Sequence, residues 1–211
     1  MRRAMLLLLL LSAGGCGKAP DGAGRASASG MSAVPTSPVS APASAIPPPS
    51  PLLGERVART QWARSDDGKS DAPPHCAPLA LASAGGTPAT ARAADFSGGW
   101  GVAFDLPNLR SAYGFAGPGV LPQDAAPLAA QRARLDRQWP YMRDLPKLPP
   151  SSFAGYGLSG AEAYPADNPQ GHGLQSVAYV RVGGQQCTYN VWSRISRTHL
   201  ETLLDNLRLL R

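Results

Sequence analysis

The groups in this chain that could do chemistry are few, and their spacing decides what each can do. Cys187 and His172 could serve as nucleophile and base if the thiol were free. Gly155, Gly157 and Gly160 spell G-x-G-x-x-G, which cradles a dinucleotide only between a strand and a helix. Here LPPSS at 148–152 precedes the motif and Pro165 follows soon after, so a glycine-rich turn is expected instead. Ser159 lies in GLSG, which is not the G-x-S-x-G nucleophile elbow. Glu162 and Asp167 flank Tyr164 in a Pro- and Gly-rich stretch, where carboxylates are expected to be solvated. A glycosidase would need such a pair facing across a cleft. His75, His172 and His199 lack H-E-x-x-H or C-x-x-C spacing, so no metal site is expected. The residues point to no catalytic role and to no cofactor.

Two segments pair aromatic rings with glycine: 111–117 (SAYGFAG) and 152–157 (SFAGYG). Tyr113, Phe115, Phe153 and Tyr156 therefore form a candidate binding surface, because rings on glycine-rich loops can stack on sugars or fill partner pockets. The alternative is that both segments are turns whose rings point inward and cap the core.

Arg2 and Arg3 are followed by an apolar run over residues 4–11, then by Ser12, Ala13, Gly14 and Gly15, then by Cys16. A membrane-spanning helix needs roughly 20 apolar residues, so this run is the core of an export signal. With Cys at the first mature position, residues 1–16 resemble the signal of bacterial lipoproteins. Ala13 stands where that motif usually has Leu, and the two glycines fit its small-residue positions. The resemblance implies cleavage after residue 15 and a covalent lipid on Cys16. Gly17, rather than Asp, implies sorting to the outer membrane, with the domain in the periplasm or at the surface. Each buried methylene of an acyl chain contributes about 0.8 kcal/mol, so two or three chains make a durable tether. In that oxidising compartment the two remaining cysteines, Cys76 and Cys187, read as a disulfide.

The formal charge is +6 for the whole chain. From Cys76 onward 12 Lys+Arg stand against 9 Asp+Glu, or +3, with no basic run. That is a mildly basic surface and not a nucleic-acid footprint.

Residues 17–54 contain 28 Gly, Ala, Ser or Pro among 38, and no aromatic precedes Trp62. Such a segment cannot bury enough apolar surface to offset its ordering entropy. Residues 16–75 are therefore expected to be a disordered tether, with a short helix over 52–64 as an alternative despite its poor apolar spacing. The folded domain is expected over 76–211.

Within it, Trp100, Val102, Phe104 and Leu106 alternate with smaller residues, a half-buried strand ended by Pro107 and Asn108. Residues 124–139 suggest a helix with Asp124 as cap, Pro140 as stop, and Leu128, Leu135 and Trp139 along one face. Residues 177–182 and 185–192 read as strands joined at Gly183 and Gly184, with Cys187, Tyr189 and Val191 on one side. Ser196 suits a helix N-cap, and Leu200, Leu203, Leu204 and Leu207 recur at helical spacing before Arg208 and Arg211. Residues 141–175 hold either an unread strand or a functional loop. The fold class expected is α+β: an antiparallel sheet, a C-terminal amphipathic helix packed on one face, and one disulfide.

The function expected is a non-enzymatic binding or adaptor module, anchored in the membrane and engaging an envelope protein or the cell wall. Three alternatives stand beside it: an inhibitor or immunity-type lipoprotein acting against a wall-attacking enzyme, a small wall- or lipid-active hydrolase, and an accessory lipoprotein of a larger machine. The last predicts an exposed apolar patch at Tyr113, Phe115 and Tyr156.

Overall fold

Residues 50–65, 76–86, 88–96, 99–118, 120 and 122–210 are described by a computed structural model of the chain. Cys16, the signal, most of the tether, His75 and Arg211 lie outside the described residues. Among those described, no helix is long and apolar enough to cross a membrane.

The strand elements are β1 (Leu79–Leu81), β2 (Thr90–Ala93), β3 (Trp100–Leu106), β4 (Leu109–Gly117), β5 (Tyr141–Asp144), β6 (Phe153–Leu158), β7 (Ser176–Arg181), β8 (Thr188–Ser193) and β9 (Leu207–Leu209). The helices are α1 (Glu55–Trp62), α2 (Leu128–Gln138) and α3 (Arg197–Asn206). Seven strands form one antiparallel sheet in the order β2-β3-β4-β8-β7-β6-β5, and β1 pairs with β9 as a separate ribbon. The fold is thus α+β with a C-terminal helix on one face of an antiparallel sheet.

Period-two alternation decides which side chains meet. Trp100, Val102 and Phe104 of β3, Tyr113 and Phe115 of β4, Tyr156 of β6, Ala178 and Val180 of β7, and Tyr189 and Val191 of β8 share one face. Over them pack Ala58 of α1, Leu79 and Leu81 of β1, and Leu200, Leu203 and Leu204 of α3. The opposite face receives α2, which lies over β5 and β6, and the 3₁₀ turn Pro122–Ala125, whose Asp124 is buried against Thr188 of β8 and Arg181 of β7. Under α2, Leu135, Trp139 and Phe153 form a second, smaller cluster with Met142, Val177 and Tyr179 packed against it. Among the described residues, no α-helix covers the part of that face around Trp192, Val177, Asn190 and Tyr179.

Several boundaries differ from the expectation, each for a physical reason. The folded unit takes in residues well before 76. Leu53 and Leu81 exchange backbone hydrogen bonds of 2.8 and 3.1 Å. Gly54 turns the chain at φ 76°, and a Cβ there would lie 2.9 Å from the Phe104 ring, so glycine serves both the turn and the close approach. Residues 124–139 do not form one helix. Pro122–Ala125 is a 3₁₀ turn, and α2 starts only after Pro127. Asp124 caps nothing there; it is buried and accepts hydrogen bonds from Thr188 N (3.2 Å) and Thr188 Oγ1 (2.5 Å). Leu135 and Trp139 are buried, whereas Leu128 is 41% exposed. Ser196 does cap α3, accepting from His199 N at 3.0 Å. The helix ends at Asn206, one residue before the last leucine of its apparent repeat, because Leu207 pairs with Leu81 as part of β9. Residues 141–175 contain β5 and β6.

Cys76 and Cys187 form a disulfide, with Cα atoms 5.5 Å apart and a separation of 111 in sequence. The segment around Cys76 is pinned from several sides. Trp100 Nε1 donates to the Cys76 carbonyl (2.9 Å), the Tyr189 hydroxyl to the Ala77 carbonyl (3.0 Å), and Ala77 N to Gln185 Oε1 (2.8 Å).

Candidate functional site

The open half of the second sheet face is a groove of about 500 Å³, lined by Phe96, Pro118, Ser159, Gln175, Val177, Tyr179, Asn190 and Trp192. The register explains how it is built. Ala103, Gly114, Trp192, Val177 and Gly157 stand side by side across five strands, and the next row is Gly101, Ala116, Asn190, Tyr179 and Gly155. Trp192 therefore has Gly114 on one side and Val177 on the other, and Tyr179 has Gly155 on one side and Asn190 on the other. A Cβ at Gly114 would collide with the Trp192 ring, and one at Gly155 would lie 2.9 Å from Trp139 Cδ1. The rings of Trp192 and Trp139 rest on bare backbone supplied by the neighbouring strands.

Phe96 lies 15° from parallel to Trp192, with ring centroids 6.0 Å apart. Trp139 and Tyr179 meet at 5.3 Å. The Trp192 indole N–H donates to the Ser111 carbonyl at 3.3 Å, which fixes the ring's orientation. The groove is thus walled by a stacked Phe96–Trp192 pair and bordered by amides and hydroxyls. Gly114→Ala is expected to push Trp192 off the β4 backbone and to cost about 1–3 kcal/mol, because the Val102 carbonyl also crowds that position. Urea denaturation with Trp192 fluorescence measures both effects; an unchanged midpoint and spectrum would show that the ring does not rest there.

The sequence placed its candidate surface on the wrong faces of these strands. Tyr113, Phe115, Phe153 and Tyr156 are 1%, 0%, 3% and 6% exposed, so none of the four rings is available to a ligand. The aromatic–glycine segments are the strands β4 and β6, whose glycines make room for rings from their neighbours. Tyr113 and Phe115 pack in the main core, and Phe153 lies under α2 with Arg132 above its ring at 5.2 Å. Tyr156 donates to Glu201 Oε1 at 2.8 Å; burial, reinforced by that carboxylate, pushes its hydroxyl well above the usual tyrosine range. The accessory-lipoprotein alternative loses the exposed patch it predicted.

The remaining candidates are separated. Cys187 is bonded to Cys76, so it has no thiol to pair with His172. His172 is exposed in a turn, where its backbone N–H donates to Asn168 Oδ1 at 3.0 Å. Glu162 and Asp167 both stand in solvent, and neither they nor His172 line the groove. Gly155 and Gly157 lie inside β6, and Gly160 follows in a turn at φ 93°, so the glycine triplet cradles nothing. Among the described residues no cluster of three or more His, Cys, Asp or Glu is placed to hold a metal.

A Ser/His pair not singled out from the sequence does form. His199 Nε2 lies 3.1 Å from the Ala84 carbonyl, which can only accept, so this nitrogen carries the proton. The Ser193 hydroxyl then donates to His199 Nδ1 at 2.9 Å. Ser193 is fully buried, and the pair ties α3 to β8. Burial holds the His199 imidazole below its ordinary pKa of 6.5. The unfolded chain therefore takes up the proton first. This contribution to stability is present in full above about pH 6.5 and is lost as pH falls below it. Denaturant midpoints compared between pH 7 and pH 5 are expected to fall less for His199→Gln than for the wild type. Equal slopes would overturn this.

A last polar cluster joins α3 to the far sheet edge. The Arg197 guanidinium lies over Tyr141 (5.2 Å) and Tyr164 (5.4 Å) and donates to the Tyr141 hydroxyl at 3.0 Å. Its charge faces Glu201 at 3.8 Å, so it is engaged internally.

Among the described residues the groove lining carries three aromatic rings and no charged side chain. No family model, curated protein or solved structure matches the chain, so the groove is interpreted from its own residues.

Proposed function

We propose that this chain is a lipid-anchored cell-envelope protein whose folded unit is a non-enzymatic binding module, with the aromatic groove as its recognition surface. The observation that carries the reading is that groove. Trp192 lies on the bare backbone of Gly114, Phe96 stacks on Trp192, and Tyr179 packs against Trp139. Rigid aromatics around a few polar groups are the usual makings of a binding site. The anchor is a lipid on Cys16, and Gly17 directs the protein to the outer membrane, as the resemblance of the leader to lipoprotein signals implies. The Cys76–Cys187 disulfide accords with an oxidising compartment.

Two measurements on cells test this together. Intact mass of the membrane-fraction protein should show an acyl adduct that Cys16→Ser removes, with release of that variant from the membrane. A photo-crosslinker at Val177, inside the groove, should give a discrete adduct that Trp192→Ala abolishes. An unlipidated chain would overturn the anchor. Adducts insensitive to Trp192→Ala would overturn the groove as the recognition surface.

A further inference from the structure

Resting on that binding-module reading, we propose that the groove takes an uncharged glycan, with a pyranose ring packed against the stacked Trp192–Phe96 pair and its hydroxyls met by Asn190, Gln175, Ser159 and Tyr179. The first reason is charge. The domain carries both signs in abundance, yet none of the groove's lining residues is charged. A ligand recognised through phosphate, carboxylate or ammonium is read by charge-assisted hydrogen bonds, and this lining offers none.

The second reason is how Trp192 is held. Its N–H is committed to the Ser111 carbonyl and its ring lies along the backbone at Gly114. It therefore presents ring surface to the groove and no donor. A pyranose has an apolar C–H face that matches such a surface. The other common occupant of an aromatic groove is a proline-rich peptide. Its prolines supply carbonyl acceptors but no N–H donors, so it calls on ring N–H groups as donors, and here that donor is already used.

The third reason is the polar set. Asn190 is only 8% exposed, and its amide holds no hydrogen bond among the described residues. The side chains of Gln175, Ser159 and Tyr179 are likewise without a protein partner among the described residues. Amides and hydroxyls both donate and accept, as sugar hydroxyls do, so these groups can satisfy a glycan edge in either direction. The Asn190 amide is not among the fully buried unpartnered groups, so it reaches solvent at the groove, where a glycan hydroxyl can replace water. The groove volume of about 500 Å³ lies within the range of about 300–1,000 Å³ found for small-ligand sites.

Calorimetric titration of the full chain, held in a non-glycosidic detergent, tests the proposal. The probes are chitotetraose, cellotetraose and maltotetraose, with dextran sulfate as the charged comparison and decaproline as the peptide comparison. At least one neutral tetrasaccharide should bind saturably at about 1 mM or tighter, and dextran sulfate should not compete with it. Trp192→Ala should weaken that binding at least tenfold. Gln175→Ala, at an exposed position that cannot unfold the protein, should weaken it about two- to tenfold, the loss of one neutral hydrogen bond. Decaproline binding without any glycan would overturn the glycan assignment and leave the groove as a peptide-binding module. Glycan binding that ignores both substitutions would place the sugar elsewhere and overturn the assignment of this site. If folded protein binds no probe, the glycan proposal fails, and the crosslinking result then decides the groove independently.

Discussion

Replacing both Cys76 and Cys187 by Ser is expected to lower the unfolding free energy by about 3–5 kcal/mol. A bridge between residues 111 apart removes loop-closure entropy worth roughly 4–5 kcal/mol from the unfolded chain. Its effect on the native fold adds to this. Cys76 and Ala77 are held by Trp100, Tyr189 and Gln185, and this stretch delivers the chain into β1. Freed from the bridge, the segment must hold the ribbon of β1 and β9 by hydrogen bonds and by the burial of Leu79 and Leu81. A total near 4 kcal/mol is a large fraction of a typical domain's 5–15 kcal/mol. Both cysteines are fully buried. Reductant should therefore act on the native protein only as fast as it opens. Urea denaturation of the Cys76→Ser/Cys187→Ser variant measures the first effect, and alkylation after brief reductant treatment measures the second. A loss below about 1 kcal/mol would mean that the unfolded chain is already compact around these residues.

The second large effect is expected at Asp124. Its carboxylate is fully buried, faces Arg181 Nη1 at 3.7 Å, and accepts from both the backbone N–H and the hydroxyl of Thr188. Arg181 Nη2 also donates to the Gln185 carbonyl at 3.1 Å. Burial pushes the Arg181 guanidinium down from its ordinary pKa, and Asp124 opposes that shift. Asp124→Ala leaves a cation in the core without its counter-charge and strips the start of β8 of an acceptor. The expected cost is about 3–5 kcal/mol. Asp124→Ala combined with Arg181→Met removes the stranded charge and should recover a substantial part of the loss, since an apolar pair of similar volume is often as stable as a buried ion pair. The comparison needs only denaturant midpoints of three variants. No recovery in the double variant would mean that the hydrogen bonds to Thr188, rather than the charge, hold this corner.

Much of the C-terminal third was legible because its signals are local. Alternation marks β3, β7 and β8, two glycines mark the turn between β7 and β8, and Ser196 satisfies the first turn of α3 through its own side chain. The strands β4 and β6 were not legible. Glycine has poor strand propensity, so SAYGFAG and SFAGYG resemble loops until the neighbouring Trp192 and Trp139 are seen filling the space above their glycines. The groove was missed for the same reason. Val177, Tyr179, Asn190 and Trp192 sit among strand residues whose other face is core, and no spacing in the chain shows that α2 stops short of covering them. Likewise β9 continues the leucine spacing of α3, and only its pairing with β1 turns it into a strand.

What the sequence determined by itself is the set of features that act over a few residues or through composition. These are the α+β class, the even cysteine pair in the domain, the strands with clean alternation, and the cap of the last helix. What only the tertiary structure decided is which face each strand turns inward. That choice depends on register between strands far apart in the chain, and a shift of one residue exchanges the two faces. It put Tyr113, Phe115 and Tyr156 into the main core and Phe153 under α2, and it left Trp192, Tyr179 and Asn190 facing the groove.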